Sequence, residues 1–248
     1  MAVRFKRSYR DRKKAVARRK KTIINVLILV FFFQVLFSVF FGTIRVDSIS
    51  MEPSMEVGSA MIFSPFVYGY KIGTSIKRFP QVKAPERGDI IVLTPPYVQE
   101  KRGFVTFLFS IIRFLSFGKI NLSSLLSESW ENRFLVKRII ALPGDTVKMS
   151  DFTASIKPGN SEYFLNEFEV IHSSYDTNMG ELPAGWNDSL PFSGNMDPVT
   201  LGDNEYFVLG DNRMQSSDST SWGILHKDRI AGKILMAYWP LNKIKVFE

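Results

Sequence analysis

The residues from Asp47 to Met55 read D-S-I-S-M-E-P-S-M and bring several serine hydroxyls into one short segment. Proline restricts its own φ angle and the residue before it, so the turn between Ser50 and Pro53 is expected to be rigid. A rigid turn can present a serine hydroxyl in one direction, which suits a nucleophile. An ordinary serine turn at the end of a strand has the same composition, and this segment alone does not separate the two interpretations.

A base for such a serine is offered by Lys137, which lies in the strand-like sequence R-F-L-V-K-R-I-I-A of residues 133–141. Alternate residues of a strand share one face, which places Lys137 beside Leu135 and Ile139. Burial on an apolar face lowers the pKa of an amine, and a neutral amine can accept the proton of a serine hydroxyl. The alternative is a lysine whose ammonium group reaches solvent from the edge of a sheet.

A third polar segment, residues 209–223, reads L-G-D-N-R-M-Q-S-S-D-S-T-S-W-G. Its first part, Gly210–Arg213, follows a predicted strand and is typical of a tight turn. The serines and carboxylates that follow could hold a neighbouring lysine and arginine by hydrogen bonds. By itself the segment indicates only a turn.

The composition excludes other chemistries. The chain of 248 residues has no cysteine, which excludes a thiol nucleophile, a disulfide and a cysteine-based metal site. It has two histidines, His172 and His226, and no H-E-x-x-H motif, so a zinc hydrolase is not expected. A Ser-His-Asp hydrolase that uses His226 is kept as an alternative.

The positive charge is confined to the N-terminal end of the chain. Residues 1–21 contain eleven Lys or Arg and one acid, a net +10, whereas the remainder has 21 basic and 23 acidic side chains, a net −2. The next segment, Thr22–Ile44, has no charged residue and is long enough to cross a membrane as a helix. The positive-inside rule then keeps residues 1–21 in the cytoplasm and places residues 45–248 outside.

Other interpretations of the N-terminal region are less consistent with its sequence. A cleaved secretory signal has a shorter apolar core and small residues at its end, whereas this segment ends F-F-G-T-I-R. A nucleic-acid-binding arm would explain the charge but not the apolar segment beside it. We therefore predict a single-pass, uncleaved anchor in the plasma (inner) membrane. Ser50 is six residues past Ile44 and would lie within about 20 Å of that point.

The rest of the chain is predicted to be mainly β, with a barrel-like or sandwich-like body. Residues 103–120 are strongly apolar, but their uncharged run is too short to span a membrane. We predict either a buried helix or a helix on the membrane surface there. Residues 151–201, rich in Gly, Asn, Ser, Asp and Pro, are predicted to form an irregular inserted lobe. The predicted strands are short apolar stretches between turn residues: 61–63, 88–93, 132–142, 146–149, 205–209 and 234–239.

Taken together, these segments resemble the bacterial type I signal peptidases, which use a serine and a lysine to remove signal peptides from exported proteins. The resemblance covers roughly residues 22–149 and 203–240. It implies a membrane-anchored, β-rich hydrolase without a cofactor, whose partners are the signal peptides of exported preproteins and the lipid bilayer, with no nucleic acid. The matching stretches follow the family's order behind an N-terminal anchor: Ser50–Met55, Arg87–Ile91, Lys137–Asp145 and Gly210–Arg213, with Ser216, Asp218, Ser219, Trp222 and Gly223.

The resemblance also implies roles for single residues. Ser50 matches the nucleophile, and Lys137 matches the general base that later protonates the leaving amine. Ser48 matches the hydroxyl that joins the Ser50 backbone N–H in the oxyanion hole. Ser216 matches the serine that orients the lysine.

Further positions match residues that support the site or line it. Arg138 and Asp211 match a supporting salt bridge, and Asp218 matches another structural acid. Cleavage after small residues, at Ala-x-Ala sites, is implied by shallow apolar pockets. Three residues match the lining of those pockets: Val46, Met55 and Val136.

Four positions depart from the family pattern, and two of them, Met214 and Gln215, replace more polar residues. Asp47 stands where a proline is frequent, and Thr220 stands where an arginine often pairs with the acid that Asp218 matches. A non-enzymatic alternative follows: a membrane-anchored β-domain that binds exported chains without cleaving them. The presence of both Ser50 and Lys137 favours the enzyme.

Overall fold

The computed structural model describes residues 9–69, 81–98, 134–180 and 194–247. The chain divides into two compact units, Met1–Phe40 and Phe41–Glu248. The apolar segment 103–120, for which two helical interpretations were open, lies outside the described residues.

The first unit contains one long helix, α1, Tyr9–Phe40. It begins among the basic residues and continues into the predicted anchor. The prediction that this segment extends to Ile44 is wrong, because Gly42–Arg45 form strand β1, which pairs antiparallel with Ala60–Ser64. β-branched residues such as Thr43 and Ile44 fit a pleated sheet well, and backbone pairing outweighs continuation of the helix. Among the described residues, no helix has both the length and the apolarity that crossing a membrane requires.

The second unit is mainly β, as predicted. Six of its strands, the second to the fifth, the ninth and the eleventh in chain order, coincide with stretches predicted from the sequence. Short helices at Glu167–Val170 and Ser219–Trp222 interrupt the strands. The described strands are β1 Gly42–Arg45, β2 Ala60–Ser64, β3 Ile90–Leu93, β4 Leu135–Ala141, β5 Thr146–Ser150, β6 Thr153–Lys157, β7 Leu165–Asn166, β8 Met196–Thr200, β9 Glu205–Leu209, β10 Leu225–His226, β11 Ile230–Trp239 and β12 Lys245–Val246.

These strands form two antiparallel sheets. The larger sheet has the order β1-β2-β11-β3-β4-β9-β10, with β12 paired to β11, and the smaller sheet has the order β7-β6-β5-β8. Among the described strands no pairing joins β1 to β10, so the larger sheet is open at both ends. Strand β4 lies in its interior, between β3 and β9.

The prediction of an irregular lobe at residues 151–201 is wrong for its described part. The sequence T-A-S-I-K of β6 alternates: Ala154 and Ile156 are buried, whereas Thr153, Ser155 and Lys157 are half-buried. Strand β6 pairs with β5 and β7, and β8 pairs with β5. The polar and Gly-rich composition belongs to the turns between these short strands. Residues 181–193 of the lobe lie outside the described residues.

Strand β4 is buried on both faces. Residues 136–141 are all buried; Ile139 packs in one apolar cluster and Ile140 in another. Near-continuous apolar sequence is typical of a strand covered on both sides. Lys137 therefore lies in the interior of the sheet opposite Ile91, and not at an edge from which it could reach solvent.

Candidate active site

Ser50 lies in a short 3₁₀ turn, Ile49–Met51, which follows strand β1 and which we call the nucleophile turn. The turn is closed by the Glu52 backbone N–H, which donates to the Ile49 carbonyl at 3.0 Å. Met51 is almost fully buried in an apolar cluster, and its packing there holds the turn in place. The Ser50 side chain is thus carried by a turn with little freedom to move.

The hydroxyl of Ser50 meets the amine of Lys137. Lys137 Nζ donates to Ser50 Oγ at 2.7 Å. The lysine is 1% exposed, and burial lowers its pKa to about 8, although the carboxylates of Asp218 and Asp211 act in the opposite direction. An amine with this pKa is partly neutral near physiological pH and can then accept the hydroxyl proton.

A second hydroxyl stands beside the first. Ser48 Oγ lies 3.1 Å from Ser50 Oγ, and either hydroxyl can be the donor. Because the two side chains are adjacent, a negative charge that develops on a carbonyl attacked by Ser50 would form close to the Ser48 hydroxyl.

Ser216 does not form the hydrogen bond to Lys137 that its predicted orienting role requires. Its Oγ is buried and has no hydrogen-bond partner among the described residues. The physical reason is its packing beside Gly210. A Cβ atom at Gly210 would collide with Ser216 Oγ and would lie 2.5 Å from the Ser50 carbonyl oxygen. Ser216 thus fills space next to the nucleophile turn.

Arg138 and Asp211 form the predicted ion pair, and it is buried. Arg138 Nε donates to Asp211 Oδ1 at 2.8 Å and Nη2 donates to Oδ2 at 2.7 Å. Nη1 of the same guanidinium donates to the Gly88 carbonyl at 2.9 Å. The planar guanidinium therefore connects β4 to the loop that contains Asp211.

Asp218 is held by groups other than the arginine of the family pattern. Its carboxylate accepts hydrogen bonds from Thr220, at 3.1 Å from the backbone N–H and 2.7 Å from the hydroxyl. It also accepts from the Gly210 N–H at 2.9 Å. Asp218 is therefore the N-cap of the helix Ser219–Trp222, and the Thr220 hydroxyl replaces the expected charged partner.

The three predicted pocket residues lie together, and each of them is largely buried. They are buried in one apolar cluster with Met51: Val46, Met55 and Val136. The open cleft beside the nucleophile turn has a volume of about 450 Å³. Its lining comes from the turn and from the lobe: Glu52, Pro53, Glu56, Thr177 and Asn178.

Asn212 holds the nucleophile turn, and the sequence reasoning did not assign it a role. Its backbone N–H donates to the Ser50 carbonyl at 3.1 Å, and its Nδ2 donates to the Ile49 carbonyl at 3.3 Å. The next residue, Arg213, forms a buried ion pair with Glu167, which was also not predicted. The only sequence signal was the turn itself, because both contacts join residues far apart in the chain.

Other catalytic groups are not assembled at this site. Within the described ranges, no group of three or more His, Asp or Glu side chains is arranged to hold a metal ion. His226 is exposed on β10, opposite Glu205. The hydroxyl of Ser50 instead contacts Lys137 and Ser48. A serine beside a desolvated amine and a second hydroxyl is the equipment of a serine hydrolase that attacks a carbonyl.

Comparison with known proteins places the chain within one family of that class. The family model of signal peptidase, peptidase S26, matches residues 19–239. The chain therefore belongs to this family of serine peptidases.

Its relatives are bacterial signal peptidases. The chain is 33% identical to signal peptidase I of Bacillus licheniformis over 140 residues, which are 56% of this chain and 69% of that protein. It is 25% identical to the probable signal peptidase I-2 of Synechocystis over 199 residues, 80% of this chain and 63% of that protein. It is 35% identical to signal peptidase I S of Bacillus subtilis over 111 residues, 44% of this chain and 54% of that protein. The chain thus spans between about half and two thirds of the length of these relatives.

A structural match is weaker. The crystal structure of a signal peptidase I from Enterococcus faecalis V583 is 23% identical, with a TM-score of 0.32, over 62% of this chain and 98% of that chain.

Proposed function

We propose that this chain is a membrane-anchored serine endopeptidase that removes N-terminal signal peptides from exported proteins, with Ser50 as nucleophile and Lys137 as general base. The observation that carries the proposal is the 2.7 Å contact between Lys137 Nζ and Ser50 Oγ inside the sheet. Membership of the signal peptidase family supports the reaction and the class of substrate. These two observations support the activity, substrates and partners that we propose for the whole protein.

The proposed reaction is acyl transfer. Neutral Lys137 accepts the proton of the Ser50 hydroxyl while the oxygen attacks the carbonyl carbon of the scissile peptide bond. The oxyanion receives hydrogen bonds from the Ser50 N–H and the Ser48 hydroxyl. The Lys137 ammonium then protonates the leaving amine, and the C–N bond breaks. A water molecule, deprotonated by Lys137, attacks the resulting ester and releases the signal peptide with a free carboxylate.

The charge state of the lysine supports this role. With a pKa of about 8, about a tenth of Lys137 is neutral at pH 7, whereas an ordinary lysine would be neutral in about one molecule in three thousand. The neighbouring Arg138 cannot serve, because arginine stays protonated and its guanidinium is occupied by Asp211. The strand therefore supplies one base.

The proposed specificity is for small residues on the side of the bond that Ser50 acylates. Val46, Met55 and Val136 form an apolar cluster directly beside Met51. Subsites on a packed surface are shallow, and they accept alanine side chains more readily than large ones. We propose Ala-x-Ala sites as the preferred substrates.

We further propose that the chain is anchored in the plasma (inner) membrane as a single-pass protein with residues 1–21 in the cytoplasm. The part of α1 from residue 22 to residue 40 has no charged residue, and residues 1–21 carry a net +10. On α1, Leu27, Ile28 and Phe32 are 62%, 60% and 61% exposed. Apolar side chains at this density are stabilised by lipid. The sheet unit would then lie on the outer face, with Ser50 near the membrane surface.

The sheet unit exposes four apolar side chains that fit this location and that we call the 239–246 surface: Trp239, Leu241, Ile244 and Val246. Lys243, within that surface, pairs with Glu56 at 2.5 Å, and Glu56 lines the cleft beside the nucleophile turn. A bilayer against this surface would hold the cleft close to an anchored signal peptide.

Cleavage of a peptide with an Ala-x-Ala site by the detergent-solubilised protein tests the proposed reaction. We expect cleavage by the parent and loss of cleavage in Ser50→Ala and Lys137→Ala variants with native circular dichroism. Ser48→Ala should lower kcat by about 10²- to 10³-fold, as removal of an oxyanion donor does elsewhere. A matched peptide with phenylalanine in place of both alanines should not be cut.

Other outcomes lead to different conclusions. Activity that survives Lys137→Ala removes the proposed base. A folded but inactive parent favours the binding domain over the enzyme. Extraction of membranes with alkaline carbonate tests the anchor, and recovery of the full chain in the soluble fraction contradicts it.

A further inference from the structure

Glu167 is a fully buried carboxylate in the lobe of the smaller sheet, and its contacts lead toward Ser50. Its Oε1 accepts hydrogen bonds from Arg213 Nη1 at 2.6 Å and from the Ala154 N–H at 3.1 Å. Its Oε2 accepts from Arg213 Nη2 at 2.6 Å and from the Tyr175 hydroxyl at 2.6 Å. Four donors occupy the acceptor capacity of an ionised carboxylate, so both partner side chains are fixed in orientation.

Arg213 transmits this constraint to residues 210–213, which we call the 210–213 loop. Its Nε donates to the Gly210 carbonyl at 3.0 Å, and its Nη1 also donates to the Phe152 carbonyl at 3.0 Å. Its backbone N–H donates to the Asn178 carbonyl at 2.9 Å. The guanidinium thus has one edge on the lobe and the other on the loop.

The 210–213 loop is in direct contact with the nucleophile turn. Asn212 donates to the Ser50 carbonyl at 3.1 Å and to the Ile49 carbonyl at 3.3 Å. Gly210 lies so close that a Cβ atom there would be 2.5 Å from the Ser50 carbonyl oxygen. A displacement of the loop would therefore move the backbone that carries the Ser50 hydroxyl.

A second route joins Glu167 to the same loop. The Tyr175 ring lies 4.0 Å from the guanidinium carbon of Arg138, which forms its bidentate pair with Asp211. Glu167 is thus connected to the loop on both sides of Asn212, through Arg213 and through Tyr175. Arg138 is also the residue next to Lys137 on β4.

Net stability is a poor explanation for this arrangement. Glu167 and Arg213 have side chains that are 0% and 2% exposed, and taking both charges out of water is costly. Apolar residues of similar volume are often as stabilising as a buried ion pair. The ion pair instead fixes the orientation of the two side chains, because a bidentate guanidinium–carboxylate pair holds its partners in one geometry.

We propose that Glu167 is a positioning residue for catalysis at Ser50. Through Arg213 and Tyr175 it holds the 210–213 loop against the Ile49–Ser50 peptide, and thereby keeps the Ser50 hydroxyl in line with Lys137. The inference rests on the proposed function, since it concerns the same reaction.

The test compares the parent with Glu167→Gln, both as full chains in detergent, on the Ala-x-Ala peptide. We expect kcat to fall about 10- to 100-fold with KM changed by less than about threefold, because small misplacements of a nucleophile cost about this much. Arg213→Lys is the second variant. It keeps a cation beside Glu167 but loses the Nε donor to Gly210, and the same loss of kcat is expected.

Asp145→Asn is the matched control. Asp145 is also a buried carboxylate paired with an arginine, Arg87, at 2.7 Å, and it accepts from the Leu142 N–H at 2.8 Å. Among the described contacts it has no hydrogen bond to the 210–213 loop. This variant should unfold at a lower temperature and retain kcat within about twofold, as expected for a change outside the reacting groups.

Each outcome decides the inference. If Glu167→Gln and Arg213→Lys lower the unfolding temperature but keep kcat, Glu167 is structural only and the inference is wrong. It is also wrong if Asp145→Asn loses as much kcat as Glu167→Gln. If Glu167→Gln does not fold, the comparison of Arg213→Lys with the control decides. An inactive parent would instead overturn the proposed function. If the parent is active and Ser50→Ala is not, the proposed function stands, and the Glu167 comparison tests the further inference alone.

Discussion

Two buried lysines flank Ile91 on neighbouring strands of the larger sheet, Lys137 on β4 and Lys233 on β11. They are 1% and 6% exposed. Lys233 Nζ is 2.7 Å from Asp89 Oδ1, whereas Lys137 Nζ contacts the neutral hydroxyl of Ser50. The two lysines are therefore buried to nearly the same extent, but their partners differ. A buried lysine becomes a candidate base only where its partner does not stabilise the charged form.

The surroundings of Asp89 strengthen the contrast. Its Oδ2 accepts hydrogen bonds from the Tyr68 hydroxyl at 2.5 Å and from the Glu86 N–H at 2.9 Å. Burial, together with the Asp89 carboxylate, raises the pKa of Tyr68, so this hydroxyl stays protonated and remains a donor. The Lys233 site is thus a closed ion pair, whereas Lys137 keeps a partner that can react.

The largest effect on stability is expected from Lys233→Met. This substitution leaves the Asp89 carboxylate buried without its cation, and we expect the free energy of unfolding to fall by about 3–5 kcal/mol. Urea denaturation measures the change. The matched double variant Lys233→Met with Asp89→Asn should recover part of the loss. An unchanged midpoint in Lys233→Met would show that the two buried lysines do not differ in this way.

The pH dependence of cleavage tests the other lysine. Because the active form of Lys137 is neutral and its pKa is lowered to about 8, kcat/KM should rise with pH and level off above about 8. Between pH 6 and pH 8 the increase should be about 50-fold, from the fraction of neutral amine. The folded Lys233→Met variant should show the same profile. A profile that levels off below pH 6 would point to a different base.

Lys137→Met should stabilise the protein at pH 7 while it abolishes cleavage. The pKa of the amine falls from 10.5 in the unfolded chain to about 8 in the folded one. Below pH 8 the buried charge therefore destabilises the fold by about 3 kcal/mol. Loss of the hydrogen bond to Ser50 offsets about 1 kcal/mol, which leaves a gain of about 2 kcal/mol. The gain should fade as pH rises from 8 to 10.5, and denaturation at several pH values measures it. A destabilised variant at pH 7 would contradict the unfavourable buried charge.

The smallest effect is expected from His226→Ala. His226 is exposed on β10, so kcat should change by less than about twofold and the free energy of unfolding by less than about 0.5 kcal/mol. The cleavage assay and the denaturation experiment above measure both. A loss of activity of tenfold or more would revive the Ser-His-Asp alternative.

The stiff turn and the buried strand at the candidate site could be predicted because their signals are local. The proline after Ser50 indicates a stiff turn, and the apolar residues around Lys137 indicate a buried strand with an unusual lysine. Six strands could be located from alternation and turn residues. The boundaries and the lobe were harder. Residues 42–45 form strand β1 because β2 is available to pair with them. The strands of residues 153–157 and 196–200 are short and are separated by polar turns.

The sequence by itself determined which residue types could react and where six of the described strands lie, because turn chemistry and side-chain alternation act over a few residues. The tertiary structure alone decided the partners. Asp89 precedes β3, which lies between both lysines, yet it pairs with Lys233 and not with Lys137. Glu167 meets Arg213 across 46 residues of chain. Such pairs depend on strand order and register, which are set by long-range packing of the whole sheet, and no local pattern encodes them.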